Sequence, residues 1–260
     1  MKFRSKPISE VLDIIIVAHN LESLFYPIVE SVWSAIPIGC RFLIGNFSST
    51  DRTIEILEFL SRYAPITVHE LAWRPETGGT AIGIATQELI EKSDKPCVLN
   101  LQACEILLDD VVVKLDDKYL ERPYPGAMTF RHFWGGFDFD GSVGGRGYGS
   151  AFRVLNRYCN MQLGDGSGPG SPPGDGEHYG TIHRYSYCWD NQIQAKTVNH
   201  YELYHGDSQS VETRWESIRF CRKNPNYDGY HPLCVEHLRS IDNYDLEYSM
   251  KVFADHVDEL

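Results

Sequence analysis

Asp13-Ile14-Ile15-Ile16-Val17-Ala18-His19-Asn20-Leu21-Glu22 begins as an unbroken apolar run and ends on polar residues. Apolar residues without alternation predict a strand buried on both faces, as in a parallel sheet. Asn20 is a good helix N-cap, and Leu21, Leu24, Phe25, Ile28, Val32 and Trp33 follow at helical spacing. The same alternation recurs downstream. Arg41 to Gly45 predicts a second strand, and Ser49 or Thr50 caps a helix through Ile56, Phe59 and Leu60. Thr67 to Leu71 predicts a third strand, with a helix from Thr80 to Glu91 entered through Gly78-Gly79. Cys97 to Leu101 predicts a fourth, with a helix from Asp109 to Leu120. Strand–helix units in series imply an α/β fold: a mainly parallel central sheet, right-handed crossovers and helices on both faces. Ligands of such sheets sit beyond the carboxyl ends of the strands. That selects three segments: Ala18-His19-Asn20, Asn46-Phe47-Ser48 and Gln102-Ala103-Cys104-Glu105.

The rest of the chain is less regular. Ala127 to Phe133, Ser150 to Asn156 and His178 to His183 predict strands; Asn191 to Tyr204, Val211 to Arg222 and His231 to Ile241 predict helices. Gly164 to Glu177 is almost entirely Gly, Pro, Ser and Asp, a mobile loop of the lid type. We expect a single domain over 1–260, with a nucleotide-binding half (1–110), an acceptor half (111–190) and a helical extension (191–260).

Composition limits what the chain does. Its 260 residues carry 24 basic and 36 acidic side chains, a net charge of −12. That argues against a general DNA or RNA partner, which needs a basic stripe, but permits an anionic ligand in a local cationic pocket. The 7 cysteines are odd in number, scattered and without a Cys-x-x-Cys, as in a reducing compartment. No apolar run is long enough to span a bilayer, and Met1 to Glu10 lacks a signal-peptide core. The terminal Asp258-Glu259-Leu260 is close to an ER-retention tail, a coincidence without an entry signal. The expectation is a cytoplasmic protein with no transmembrane segment.

Two common nucleotide motifs are missing. The first strand ends in Ala18-His19-Asn20-Leu21-Glu22 rather than Gly-x-Gly-x-x-Gly, and there is no P-loop. Gly144-Gly145-Arg146-Gly147-Tyr148-Gly149 precedes a strand and reads as a flexible turn. The strand ends instead resemble those of family 2 glycosyltransferases. His19-Asn20-Leu21-Glu22 matches that family's Tyr/His-Asn-x-Glu turn. Asn46-Phe47-Ser48-Ser49-Thr50-Asp51-Arg52-Thr53 matches Asp-Asp-Gly-Ser-Thr-Asp-Gly-Thr, and Gln102-Ala103-Cys104-Glu105 matches Asp-Ala-Asp-Glu. Phe130 to Gly135, Ile182-His183-Arg184-Tyr185 and Gly229-Tyr230-His231-Pro232 resemble later segments of one bacterial or viral branch.

The resemblance implies the GT-A fold, a Rossmann-like nucleotide-diphospho-sugar transferase fold, and a hexosyltransferase-like activity. A sugar would move from a UDP- or GDP-linked donor to a glycan or other hydroxyl acceptor, with inversion. The alternative is a catalytically weak or inert domain that binds nucleotide sugars or serves an assembly. A nucleotidyltransferase ranks below both, because its glycine-rich, arginine-bearing first loop is missing. The implied nucleotide-binding set is Ala18, His19, Asn20, Glu22, Asn46, Ser48, Gly79, Gln102, Ala103 and Cys104. Asn46 stands where the family has aspartate, and its amide carbonyl still accepts an imino proton. Helix capping competes for Asn20, Glu22 and Ser49 to Asp51.

The family holds Mn²⁺ or Mg²⁺ on its Asp-x-Asp. Here Gln102 and Cys104 replace those aspartates, and thiolate suits Mg²⁺ poorly. Glu105 and His183 are left as the metal candidates; without a metal, arginines would meet the diphosphate. Arg131, His132, Trp134 and Arg153 are assigned to the diphosphate or acceptor, with Arg146 and Arg184 as further cations. Asp165 is the first candidate for the general base, ahead of Asp138, Asp175 and Glu177. Phe133, Trp134, Phe137 and Tyr148 are candidates to stack on an acceptor sugar.

Overall fold

The computed structural model describes residues 7–74, 80–118, 126–138, 150–156, 161, 177–204, 216, 218, 227 and 229–259. Gly79, Arg146, Tyr148, Asp165, Asp175 and most of the predicted lid and of the helix at 211–222 lie outside them. In chain order the strands are β1 (Leu12–Ala18), β2 (Arg41–Phe47), β3 (Ile66–Leu71), β4 (Cys97–Asn100), β5 (Glu105–Leu107), β6 (Gly126–Trp134), β7 (Ser150–Asn156) and β8 (Glu177–Tyr187). The helices are α1 (Ile28–Ala35), α2 (Thr53–Leu60), α3 (Ala81–Lys92), α4 (Asp109–Lys118), α5 (Asp190–Tyr204), α6 (Leu233–Glu236) and α7 (Leu246–His256).

All eight strands form one sheet, ordered β3-β2-β1-β4-β7-β6-β8-β5. The β3-β2-β1-β4 half is entirely parallel. Beyond it β7 pairs antiparallel with β4 and β6, β6 runs parallel to β8, and β5 closes the edge antiparallel to β8. The sheet is therefore mixed, its parallel character concentrated in the first half. β1 is buried on both sides as its composition demands. Ile14, Ile16 and Ala18 pack with Ile28, Val32, Ile56 and Leu57 of α1 and α2. Ile15 packs with Leu43, Phe47, Leu71 and the α3 residues Ala81, Ala85 and Leu89. Alternate residues of one strand thus serve opposite helical layers, and the α/β class with helices on both faces is the observed one. Among the described residues no helix is long and apolar enough to cross a membrane.

Three local expectations are corrected. No helix starts at Asn20: Asn20 and Phe25 have positive φ, and Pro27 precedes the first helical residue. Proline biases the residue before it away from helical geometry, so helix formation waits until Ile28. α2 begins at Thr53 behind Arg52, which makes no side-chain cap bond, rather than at Ser49 or Thr50. The helix expected from His231 is the single short turn α6. Two elements were not anticipated. β5 is only 3 residues long. α7 is capped by Asp245, which accepts the Tyr248 N–H, and packs on α1 through Trp33 and Phe253 at 5.5 Å.

Candidate functional site

β1 lies between β2 and β4, so the chain's path through the sheet reverses there, the place where open α/β sheets leave a crevice at their carboxyl ends. The three segments selected from the sequence follow β1, β2 and β4 at that end of the sheet, and each is fixed by contacts to its neighbours.

At the ends of β1 to β3, His19 Nδ1 lies 2.6 Å from the Phe47 carbonyl. That oxygen only accepts, so Nδ1 carries the proton and Nε2 keeps a lone pair in the neutral ring. Burial lowers the His19 pKa against smaller opposing effects from Phe47 and Asp51. The ring stacks on Trp73 with centroids 4.4 Å apart and planes 8° from parallel, and Phe47 packs edge-on against Trp73 at 4.7 Å. The Ser48 hydroxyl holds the assembly: it donates to the Leu71 carbonyl and accepts the Trp73 N–H, each at 3.0 Å. Trp73 was missed in the sequence reading; the signal was an aromatic two residues beyond a predicted strand end.

Asn46 is buried and registers with Ala18 on one side and Glu70 on the other. Its amide nitrogen donates to Glu70 Oε2 at 2.8 Å, and its carbonyl oxygen accepts the Ser49 N–H at 3.3 Å. Glu70 accepts only, so it sets which end of the amide faces which partner. Asn20 and Glu22 are engaged in holding loops together. Asn20 Oδ1 accepts the Thr50 N–H, and Glu22 pairs with Arg52, which pulls the Glu22 carboxyl below its usual range. Asp51 accepts from Ser23 and Thr53. Burial pushes its pKa up, but these hydrogen bonds outweigh burial and hold it low.

The turn after β4 is built on arginines. Glu105 is fully buried, with Oε1 accepting from Arg153 at 2.6 Å and Oε2 accepting the Gln102 N–H at 3.0 Å. Arg153 is itself fully buried and lies 4.9 Å from the Phe130 ring centre. The Gln102 side-chain oxygen accepts from Arg184 at 2.6 Å. Ala103 and Cys104 are buried, and the Cys104 carbonyl accepts the Tyr185 N–H.

Strand register decides which of these groups meet. Glu105 pairs with Arg184, and Arg184 with His132; the next row is Ile106, His183 and Arg131. Paired residues share a face and successive residues alternate. Glu105, Arg184 and His132 therefore face one side, and His183 and Arg131 the other. The expected pairing of Glu105 with His183 around one ion does not occur. Among the described residues no group of three His, Cys, Asp or Glu is placed to hold a metal. With Glu105 closed by Arg153, these residues do not fit a divalent ion.

His183 lies in an aromatic cluster with Phe133, Tyr185, Tyr227 and His231. A hydrogen-bond chain runs from its Nδ1 to the Tyr185 hydroxyl (3.0 Å), to His231 Nδ1 (2.8 Å), and from His231 Nε2 to the Phe137 carbonyl (3.2 Å). The carbonyl end accepts only, so His231 donates there, Tyr185 donates to His231, and His183 Nδ1 donates to Tyr185. Burial, with His231 and Arg131 adding to it, lowers the His183 pKa to about 3. His132 is bonded to Ser186 and packs on Trp134, which stacks on Tyr187. Phe137 is buried against Tyr185 and His231. Arg131 is exposed beside Tyr227. Asp138 is exposed and its carbonyl accepts the Tyr227 N–H. Glu177 opens β8 by its backbone pairing with Gly126.

No protein-family model matches the chain, and no curated protein matches it in sequence. Solved structures do resemble it. TarS 1-349 of S. aureus in complex with UDP-GlcNAc is 13% identical, with 82% of this chain and 74% of that one covered at a TM-score of 0.41. The mannosyltransferase PcManGT from Pyrobaculum calidifontis, in complex with GDP-Man and Mn²⁺, is 12% identical over 95% of this chain and 86% of that one, TM-score 0.39. A putative glucose-1-phosphate thymidylyltransferase from Bacillus anthracis, in complex with a sucrose, is 11% identical over 94% and 96%, TM-score 0.40. At these identities and scores the likenesses assign no residue and no reaction to this chain.

Proposed function

We propose that this chain is a glycosyltransferase that takes a sugar from a UDP- or GDP-linked donor and delivers it, with inversion, to a glycan or other hydroxyl acceptor. The observation that carries this reading is the set of groups gathered at the carboxyl ends of the strands around the reversal of strand order. There the His19–Trp73 stack, the oriented Asn46 amide and the Gln102–Arg184 pair stand at the ends of adjacent strands or the turn that follows. A flat aromatic pair suits a nucleobase. An amide oxygen accepts an imino proton. A guanidinium suits phosphate oxygens. These are the three parts of a nucleoside-diphosphate donor.

The mechanism follows from those roles. The nucleobase packs against His19 and Trp73 with its imino edge toward Asn46, which fixes the anomeric carbon relative to the acceptor. One of the carboxylates Asp165, Asp138, Asp175 and Glu177, of which Asp138 has an exposed side chain, takes the acceptor hydroxyl proton. The acceptor oxygen bonds to the anomeric carbon as the bond to the diphosphate oxygen breaks, and the nucleoside diphosphate leaves against arginine. One observation favours a second reading, a domain that binds nucleotide sugar without turnover: the strand-four turn lacks the family's aspartates, and its carboxylate is closed by Arg153. Incubation with a panel of UDP- and GDP-sugars, followed by measurement of released nucleoside diphosphate, separates the two. Release abolished in Asp138→Asn supports transfer. Tight nucleotide binding without release supports the second reading, and absence of both rejects the proposal.

A further inference from the structure

The turn after β4 differs in charge from a site that holds a divalent ion. The two positions that carry aspartate in the family motif are the neutral Gln102 and the buried Cys104, and its one carboxylate, Glu105, is paired with Arg153 where neither side chain is exposed. A second guanidinium, Arg184, is bound to the Gln102 side chain and shares a face with Glu105 through the β5–β8 register. Counted over these residues, one carboxylate faces two guanidinium groups. A dication brought here would meet net positive charge, and its only carboxylate ligand would have to leave a buried ion pair. A diphosphate meets the opposite situation. It brings negative charge to a half-buried arginine already steadied by an amide oxygen, and the planar fork of guanidinium matches phosphate oxygens.

We infer that Arg184, steadied by Gln102 while Arg153 neutralises Glu105, meets the donor diphosphate in place of a divalent cation, so that nucleotide binding is independent of metal. This deepens the proposed function and rests on it. Arg153 then has a structural task, because it keeps Glu105 from recruiting an ion. Gln102 is a positioning residue, and Arg184 is the group that touches the ligand.

The test is calorimetry of UDP and GDP on the full chain, in EDTA and in Mn²⁺. The expected result is binding of one nucleotide with affinities that agree within about twofold across the two conditions. Binding that weakens by about tenfold or more in EDTA overturns the inference and leaves the nucleotide-sugar reading standing. Absence of binding in both conditions overturns the two together. Arg184→Ala is expected to weaken the diphosphate by about tenfold or more while the free nucleoside binds as before, and Arg184→Lys to recover part of the loss. Unchanged diphosphate affinity in a folded Arg184→Ala overturns the assignment of Arg184. The Arg184→Lys variant answers the same question if the alanine variant does not fold, because it keeps the charge and removes the fork.

Discussion

Arg153 and Glu105 meet at 2.6 Å with neither side chain exposed. Removal of one member of such a pair leaves a charge in the core, whereas replacement of both by apolar residues removes the desolvation problem as well. Arg153→Met is therefore expected to cost about 3–5 kcal/mol in urea unfolding, and Arg153→Met with Glu105→Leu much less. Equal losses in the two would show that the pair does not act as a unit. His183 provides a pH signature. Its folded pKa is lowered to about 3 from 6.5 by burial first, then His231 and Arg131. The unfolded chain takes up this proton from about pH 6.5 downward and the folded chain does not, so the contribution is complete above that pH and is lost toward pH 3. Its full size is on the order of 5 kcal/mol. A flatter stability–pH curve in His183→Gln is the expected outcome, and an unchanged curve would contradict it. At this scale the sequence made Cys104 and Gln102 visible as departures from an acidic motif. It left Arg153 and Arg184 as two of several cations, because their partners lie 48 and 82 positions away and are chosen only by strand register.

The loops at the carboxyl ends of β1 and β2 are tied to one another. Leu21 N–H donates to Thr53, Ser23 N–H to Asp51, and Asn20 accepts from Thr50. Asp51→Ala removes an acceptor shared by Ser23 and Thr53 and is expected to cost about 1–3 kcal/mol of stability. Because the Asp51 carboxyl is held below its usual range, its contribution is present above the unfolded carboxylate pKa and fades as pH falls through the folded one. Chemical denaturation at pH 7 and pH 3 checks both statements, with the gap between wild type and variant narrower at the lower pH. Most of the strands were legible because apolar runs of four to seven residues ending on polar turns leave few alternatives. The start of α1 was not, since helical spacing begins at Leu21 whereas Pro27 delays the helix to Ile28. α7 carried an Asp cap and buries Leu246, Ser249 and Phe253 at helical spacing, but its place was settled by packing on Trp33 of α1.

Across the whole molecule, the parallel half of the sheet supplies the crevice, and the antiparallel half brings Arg153 and Arg184 to the turn at its edge. A chain of net charge −12 gives no long-range attraction to an anionic donor. In the proposed function, capture therefore rests on local groups: arginine for the phosphates and the His19–Trp73 stack for the base. The carboxyl-end location proposed for the site follows from the strand–helix order alone. The stack was not, because Trp73 comes into contact with His19 only when β3 takes its place outside β2. The most direct measurement is calorimetric titration of the full chain and of Trp73→Ala with UDP and GDP. The account predicts that the wild type binds one of the two and that Trp73→Ala binds it about tenfold or more weakly. A wild type that binds neither nucleotide, or a folded Trp73→Ala that binds as tightly as the wild type, would contradict it.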